Sequence, residues 1–246
     1  MPAPFAPLAE NLPFAFAGEP LEPARTLPRA AAQRLVAARN ATGKPNHDVL
    51  RETIGLAPDG DERRRWIVDF PPEMSAAEAA LYAAPFSTLA RSRTTPANPH
   101  RDPALRTALA RLERFLASPA CATEPDFLWL EAELLPDDSL VVWARDDDFS
   151  AGVLASSAFA HWCEAHPDVL AALRSFPFPW PPATPLSALS RLQEEHRFAL
   201  ARAARAEDGD AIDDALADAY GWPAGLSPAE IHVRLATLHA QRPPHR

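Results

Sequence analysis

Lysine is nearly missing from this chain. Of 24 basic residues among 246, only Lys44 is a lysine and the other 23 are arginines. A catalytic lysine therefore has almost nowhere to sit. The phosphate-cradling loop of nucleotide hydrolases needs Gly-Lys-Ser/Thr, whereas Gly43-Lys44 runs into Pro45, whose missing N–H and fixed φ spoil that loop. Glycine is scarce as well. The eight glycines never occur as Gly-x-Gly, which removes a dinucleotide fingerprint and any comparable glycine-rich cofactor turn. Cysteine is limited to Cys121 and Cys163, no basic-then-apolar leader opens the sequence, and no apolar run approaches about 18 residues. That combination predicts a soluble protein of a reducing cytoplasm, with no structural disulfide and no membrane contact. Net positive charge is lacking too. The balance of −9 opposes sequence-blind adhesion to phosphate backbones, so any nucleic-acid contact has to be local or assisted by a partner.

Proline, in contrast, is abundant: 28 residues, near 11% and roughly double the usual share, so segments should be short and punctuated. The length suits one or two domains. Residues 1–39 read as a proline-rich arm, able to grip a partner, followed by a short helix over 29–39. Residues 40–182 mix strand and helix patterns. Residues 183–246 are rich in Ala, Arg, Glu and Leu and read as a helical appendage. The expected class is α+β: a sheet containing an antiparallel hairpin, flanked by helices, with a small C-terminal helical region.

Within that frame, Trp66–Phe70 is expected to be a strand, entered by a solvated loop at Arg63-Arg64-Arg65 that Asp59, Asp61 and Glu62 neutralise. Ser75-Ala-Ala-Glu78 and Ser227-Pro-Ala-Glu230 are capping boxes that start helices, because each hydroxyl and carboxylate satisfies backbone donors left open at a helix start. Leu105, Leu109, Leu112 and Leu116 form one stripe, predicting a single helix over Pro103–Ala117 with arginines on its other faces. Phe127–Leu135 and Ser139–Arg145 flank turn residues and predict the hairpin. Ala151–His166 has helical spacing throughout.

Several clusters carry chemistry. Arg145-Asp146-Asp147-Asp148 offers hard oxygen ligands for a divalent cation, but its place before a helix favours a capping role for Asp148 and a dipole role for its neighbours. His161, Cys163 and His166 with distant Cys121 lack the spacing of a metal motif. Phe176-Pro-Phe-Pro-Trp180 suits either a stacking platform for bases or a hydrophobic seal between two regions. Between Arg91 and Arg114 the chain holds Arg91, Arg93, Arg101, Arg106, Arg111 and Arg114 against Asp102 and Glu113. Planar guanidinium forks clamp phosphate or read guanine edges, so this segment is the best nucleic-acid candidate, set against a plain solvent-facing helix and loop.

Six strings occur in a telling order: Gly43-Lys-Pro-Asn-His-Asp-Val-Leu-Arg51, Arg65-Trp-Ile-Val-Asp-Phe70, Glu78-Ala-Ala-Leu-Tyr-Ala-Ala-Pro-Phe86, Ala144-Arg-Asp-Asp-Asp-Phe149 with Gly152-Val-Leu154, Phe176-Pro-Phe-Pro-Trp180 and Ala219-Tyr-Gly-Trp-Pro223. Together they resemble the target-recognition and C-terminal regions of MmeI-like DNA adenine methyltransferases, the type IIL restriction-modification family. The resemblance covers about residues 40–242. It implies a region that reads bases beside an adenine, which a separate methyltransferase domain flips out and methylates using S-adenosylmethionine. Asn-Pro-Pro-Tyr and Asp-Pro-Pro-Tyr, the methylation motifs such a resemblance would bring, are absent here. Several of the family's basic positions are lost too, for example at Ser118–Ala122, Ala155, Ser157 and Phe159.

The resemblance therefore implies a non-catalytic DNA-specificity subunit of a split restriction-modification or phage-defence complex. Its partners would be a DNA methyltransferase subunit and, through it, double-stranded DNA. The chain itself would hold no cofactor; S-adenosylmethionine would belong to the partner. Expected DNA contacts are Arg91, Arg93, Arg101, Arg106 and Arg114, with Arg145 and Asp146 as a weaker second cluster. The competing expectation is a structural or regulatory partner of such a complex that no longer reads DNA, and a weaker third is a remnant with no independent role.

Overall fold

The computed structural model describes residues 5–57, 61–121 and 125–243. Asp59 and Ala122, used in the sequence reading, lie outside the described residues. In chain order the strands and helices are β1 (Ala15–Ala17), β2 (Thr26–Leu27), α1 (Arg29–Ala37), β3 (Leu50–Leu56), β4 (Glu62–Val68), α2 (Ala76–Ala79), α3 (Ala83–Arg91), α4 (Pro103–Leu109), β5 (Arg114–Pro119), β6 (Leu128–Glu131), β7 (Leu135–Pro136), β8 (Leu140–Trp143), α5 (Asp148–Leu154), α6 (Ser157–Cys163), α7 (Val169–Ser175), α8 (Arg191–Arg205), α9 (Gly209–Tyr220) and α10 (Pro228–Ala240). The α+β class expected from the sequence is what forms.

These elements gather into two compact units. One contains residues 1–16, 111–130 and 141–246, and the other contains 17–110 and 131–140. The divisions expected at 39/40 and 182/183 fall inside units rather than between them, because each unit is assembled from separate stretches of chain.

The first unit carries a sheet of order β1-β8-β5-β6 and the helices from α5 onward. Its interior is aromatic: Trp143 stacks on Phe178 at 4.8 Å, Phe149 stacks on Trp180 at 4.7 Å, and Phe159, Trp162 and Phe176 are fully buried with Leu200, Leu216 and Leu235. Its helices start on side-chain caps: Asp147 accepts from Ser150 N, Ser156 from Phe159 N, Asp168 from Ala171 N and Asp208 from Ala211 N. The capping box at Ser227–Glu230 is present, and a further one forms at Ser190 with Gln193. Gly221 ends α9 in the left-handed region at φ 69°, where a side chain would strain the backbone.

The second unit is built on a sheet of order β2-β4-β3-β7. Strands β3 and β4 form an antiparallel hairpin, with Arg51 opposite Ile67 and Thr53 opposite Arg65, while β7 adds in parallel to β3. Its apolar core joins Leu50, Val68 and Phe70 to Ala79, Tyr82 and Leu89, and the Ser75–Glu78 capping box starts α2. Helix α4 begins with Asp102 accepting from Ala104 N and Leu105 N, and Pro103 occupies a position whose N–H has no helical partner anyway.

Several local expectations are corrected. The single helix over Pro103–Ala117 ends at Leu109, and Arg114–Pro119 is a strand; the apparent stripe arises because Leu105 and Leu109 are buried from a helix whereas Leu116 is buried from β5. Arg63-Arg64-Arg65 is no loop: it forms the body of β4, and Arg63 reaches the buried Asp137 at 2.8 Å. The expected hairpin of 127–145 does not form, since β5 lies between β6 and β8 and β7 joins the other sheet; β3 and β4 do form a hairpin. Ala151–His166 breaks into α5 and α6 where Ser156 caps the second. The N-terminal arm, at residue 5 onward, is woven into the fold rather than left to grip a partner. Asn11 Nδ2 donates to the carbonyls of Leu173 and Phe176 at 2.9 and 2.8 Å, and β1 and β2 each join a sheet.

Candidate nucleic-acid interface

Helix α4 and the segment before it present arginines to carboxylates that the sequence places far away. Arg106 sits at the centre. Its Nε and Nη2 reach the two carboxylate oxygens of Glu19, each at 2.6 Å, and its Nη1 and Nη2 reach Asp69 at 2.5 and 3.2 Å. Asp69 also accepts from Asn98 Nδ2 at 3.0 Å, and Glu19 accepts from the backbone N–H of Asp102 at 2.9 Å. Both acids are 2% exposed. Burial alone would push the Asp69 carboxyl up, but the hydrogen bond and charge of Arg106, with help from Asn98 and Arg101, hold it below the ordinary carboxylate range. The same pairing raises the Arg106 guanidinium against the opposing effect of its own burial. With four of its five donors engaged, Arg106 has little left for an external ligand.

Arg101 differs. Only its Nη1 is used, on the carboxylate and carbonyl oxygens of Asp69 at 3.1 and 3.4 Å; among the described residues Nε and Nη2 have no partner. Burial lowers its proton affinity, and the attraction of Asp69, shared with Arg106, does not restore it. Arg101 and Arg106 line a cleft of about 250 Å³ together with Arg51, Leu109, Leu134, Leu135 and Glu133. Arg51 is exposed on β3, and the hairpin register puts it on the same sheet face as the exposed Arg65. Neither guanidinium makes an ion pair or hydrogen bond among the described residues, though the Arg65 carbonyl accepts from Thr53 Oγ1 at 3.3 Å.

Arg91 and Arg93 belong to the same unit. Arg91 ends α3 exposed, with one bond to Thr88, and Arg93 is exposed in the left-handed region at φ 55°. The loop that follows is clasped from beneath by Arg25, which is 1% exposed: its Nη1 donates to the Pro96 carbonyl at 2.8 Å and its Nη2 to those of Thr95 and Ala97, each at 2.6 Å. Asn98 N in turn donates to Phe70 O. The loop joining α3 to Arg101 is therefore fixed at both strand and guanidinium.

The remaining candidates fall in the other unit. Arg114 bonds Asp148 at 2.7 Å and lies over the Trp129 ring at 3.8 Å. Arg145 pairs with Asp147, donates to the Pro182 carbonyl and sits 5.2 Å from the centre of the Phe14 ring. Asp146 is exposed. The three acids serve the start of α5, but the capping residue is Asp147 rather than Asp148, which instead pairs with Arg114 and Arg205. Among the described residues no group of three or more ligand side chains can hold a metal. His166 bonds Trp162 O and Ser175 Oγ, each at 2.7 Å, and Cys163 is buried, its thiol pushed up to about 12 by desolvation. Phe176, Phe178 and Trp180 are buried within one aromatic core, so they offer no open platform for bases. The basic segment of 91–114 is thus divided between units, and one of its central members, Arg106, is internally satisfied. Arg51 and Arg65 were not singled out as site residues from the sequence; they lie on the paired strands β3 and β4, and the three successive polar residues Arg51-Glu52-Thr53 hide the period of the first.

Comparison with known proteins finds one likeness of note. The fold is similar to that of MmeI, a type IIL restriction-modification enzyme whose structure was determined in complex with DNA, with a TM-score of 0.54 and 13% identity. The match covers 93% of this chain and 35% of MmeI, so the chain spans about a third of that protein's length. No family model matches, and no curated protein does. At this identity the likeness is one of fold. Among the described residues, no helix is long and apolar enough to cross a membrane.

Proposed function

We propose that this chain is a DNA-recognition module without its own catalysis, acting beside a separate DNA adenine methyltransferase that binds S-adenosylmethionine. The observation that carries this reading is the fold likeness to a DNA-bound restriction-modification enzyme across nearly the whole chain. The composition supports the division of labour: neither Asn-Pro-Pro-Tyr nor Asp-Pro-Pro-Tyr occurs, and Gly-x-Gly is absent. With Arg106 committed to Glu19 and Asp69, the cations left to meet DNA in its unit include Arg51, Arg65, Arg91, Arg93 and the free edge of Arg101.

A specific observation favours a second reading, in which the fold serves a methyltransferase complex structurally without reading DNA. The net charge is −9, and Arg106, Arg114 and Arg145 are all paired with acids. One experiment separates the two. The purified chain, alone and with a type IIL-like adenine methyltransferase as candidate partner, is titrated with a randomised duplex pool at several salt concentrations. Enrichment of one sequence, with affinity falling steeply as salt rises, is expected of a recognition module. Stable binding to the methyltransferase with no enrichment would leave the structural reading standing.

A further inference from the structure

The cleft beside α4 has an electrostatic arrangement that the ion network alone does not require. Behind its wall, Arg106 and Arg101 face Glu19 and Asp69, two positive charges against two negative. At its rim stand Arg51 and Glu133, each exposed and without an ion pair among the described residues. The floor is apolar, from Leu109, Leu134 and Leu135. Arg101 presents three N–H groups on Nε and Nη2 from a position fixed by Asp69. A fork held in place, with open donors and beside a second free guanidinium, is the arrangement that oxyanions with several acceptor oxygens occupy.

We propose that this cleft seats a phosphoryl group, clamped between the Nε/Nη2 edge of Arg101 and the guanidinium of Arg51, with attached sugar carbons against the leucine floor. That the phosphate belongs to a DNA backbone rests on the proposed function; the anion chemistry of the cleft does not. Glu133 then opposes the ligand, which gives the proposal a sign. Neutralising Glu133 strengthens a phosphate site but weakens one in which that acid accepts from a base amino group.

The test uses the 246-residue chain with Arg51→Gln and Glu133→Gln, both at exposed positions, so that the fold is preserved; thermal unfolding of each variant confirms it. Duplex binding is read by anisotropy, and inorganic phosphate is titrated while the arginine Nε resonances are followed by NMR. The expected result is duplex affinity about tenfold lower in Arg51→Gln, with a salt slope shallower by about one unit, and tighter binding in Glu133→Gln. Phosphate shifts the Arg101 Nε signal in the unsubstituted chain and much less in Arg51→Gln. Duplex binding unchanged in both variants, with no phosphate shift, overturns the cleft assignment and leaves DNA recognition intact. A phosphate shift without any duplex binding overturns DNA as the source and keeps the anion site. Weaker binding in Glu133→Gln replaces phosphate with a base edge and overturns the proposal.

Discussion

The two units hold themselves together in opposite ways. The unit of 1–16, 111–130 and 141–246 buries rings against rings, whereas that of 17–110 and 131–140 buries charges: Glu19, Asp69 and Arg25 at 1–2% exposure, with Arg106 closing the network. Aromatic packing stabilises roughly in proportion to the apolar area removed from water and is tolerant of small shifts. An ion network stabilises little, since desolvating each charge offsets most of the attraction, but it fixes directions: a guanidinium with four engaged donors has one orientation. The difference teaches where precision is needed. The charged unit is the one whose surface carries the cleft lined by Arg51 and Arg101, and its buried acids aim Arg101 at that cleft.

The largest effect that sharpens this contrast should come from Arg106→Ala. Stranding Glu19 and Asp69 without their partner should cost about 3–5 kcal/mol in chemical denaturation, and hydrogen exchange should show faster opening at α4 and β4. A loss below about 1 kcal/mol would mean that the network is not a structural element at all. Next, Leu200→Ala, in the fully buried part of the aromatic unit, should cost about 3 kcal/mol through lost transfer energy and a cavity, with α5 and α8 exchanging first. If both variants opened the same amides, the two-unit description would fail.

Acid should separate the units by pH. His166 is held below its ordinary value of 6.5 chiefly by burial, with His232 and His239 adding repulsion. Its Nδ1 faces the Trp162 carbonyl, which can only accept, so Nδ1–H donates, while Nε2 meets the Ser175 hydroxyl, which can donate or accept; burial is what disfavours the charged ring. A folded-state value below the unfolded one means that the unit is fully stable above pH 6.5 and loses stability as the pH falls toward the lower folded value. Asp69 is also lowered, from 3.8, so its contribution persists above that pH and fades only below it. Exchange measured stepwise from pH 7 to 3 should therefore loosen α6 and α10 before β4 and α4, and His166→Gln should flatten the first phase. The reverse order would contradict the assignment. The smallest effect is expected from Asp208→Ala, which removes the cap of α9 and should cost about 1 kcal/mol, confined to that helix.

What the sequence revealed was local chemistry. Ser75 with Glu78 and Ser227 with Glu230 announce helix starts because both partners lie within one turn, and α1 follows from composition. β5 was hidden because Phe115, Leu116, Ala117 and Ser118 are all buried: a strand covered on both faces shows no alternation, and its leucines joined the stripe of the preceding helix. The false hairpin has the same origin, since pairing of β8 with β5 is set by tertiary contacts and not by the turn at Pro136–Asp138. For the candidate site, Arg101 and Arg106 were visible as charges. Their partners were not, because Asp69 lies 37 residues before Arg106 and Glu19 lies 87 before it. No pattern in a linear sequence says which of six arginines is already spoken for.

The clasp made by Arg25 bears on any attempt to transplant the surface proposed for recognition. A donor fragment cut at residue 40, where the arm and first helix give way to the mixed region, would keep the loop of Thr95–Ala97 but leave three of its carbonyls without the guanidinium that gathers them. The smallest portable version of that surface must begin upstream of Arg25, so moving it into another protein would require moving a stretch of the leading segment along with the loop it holds.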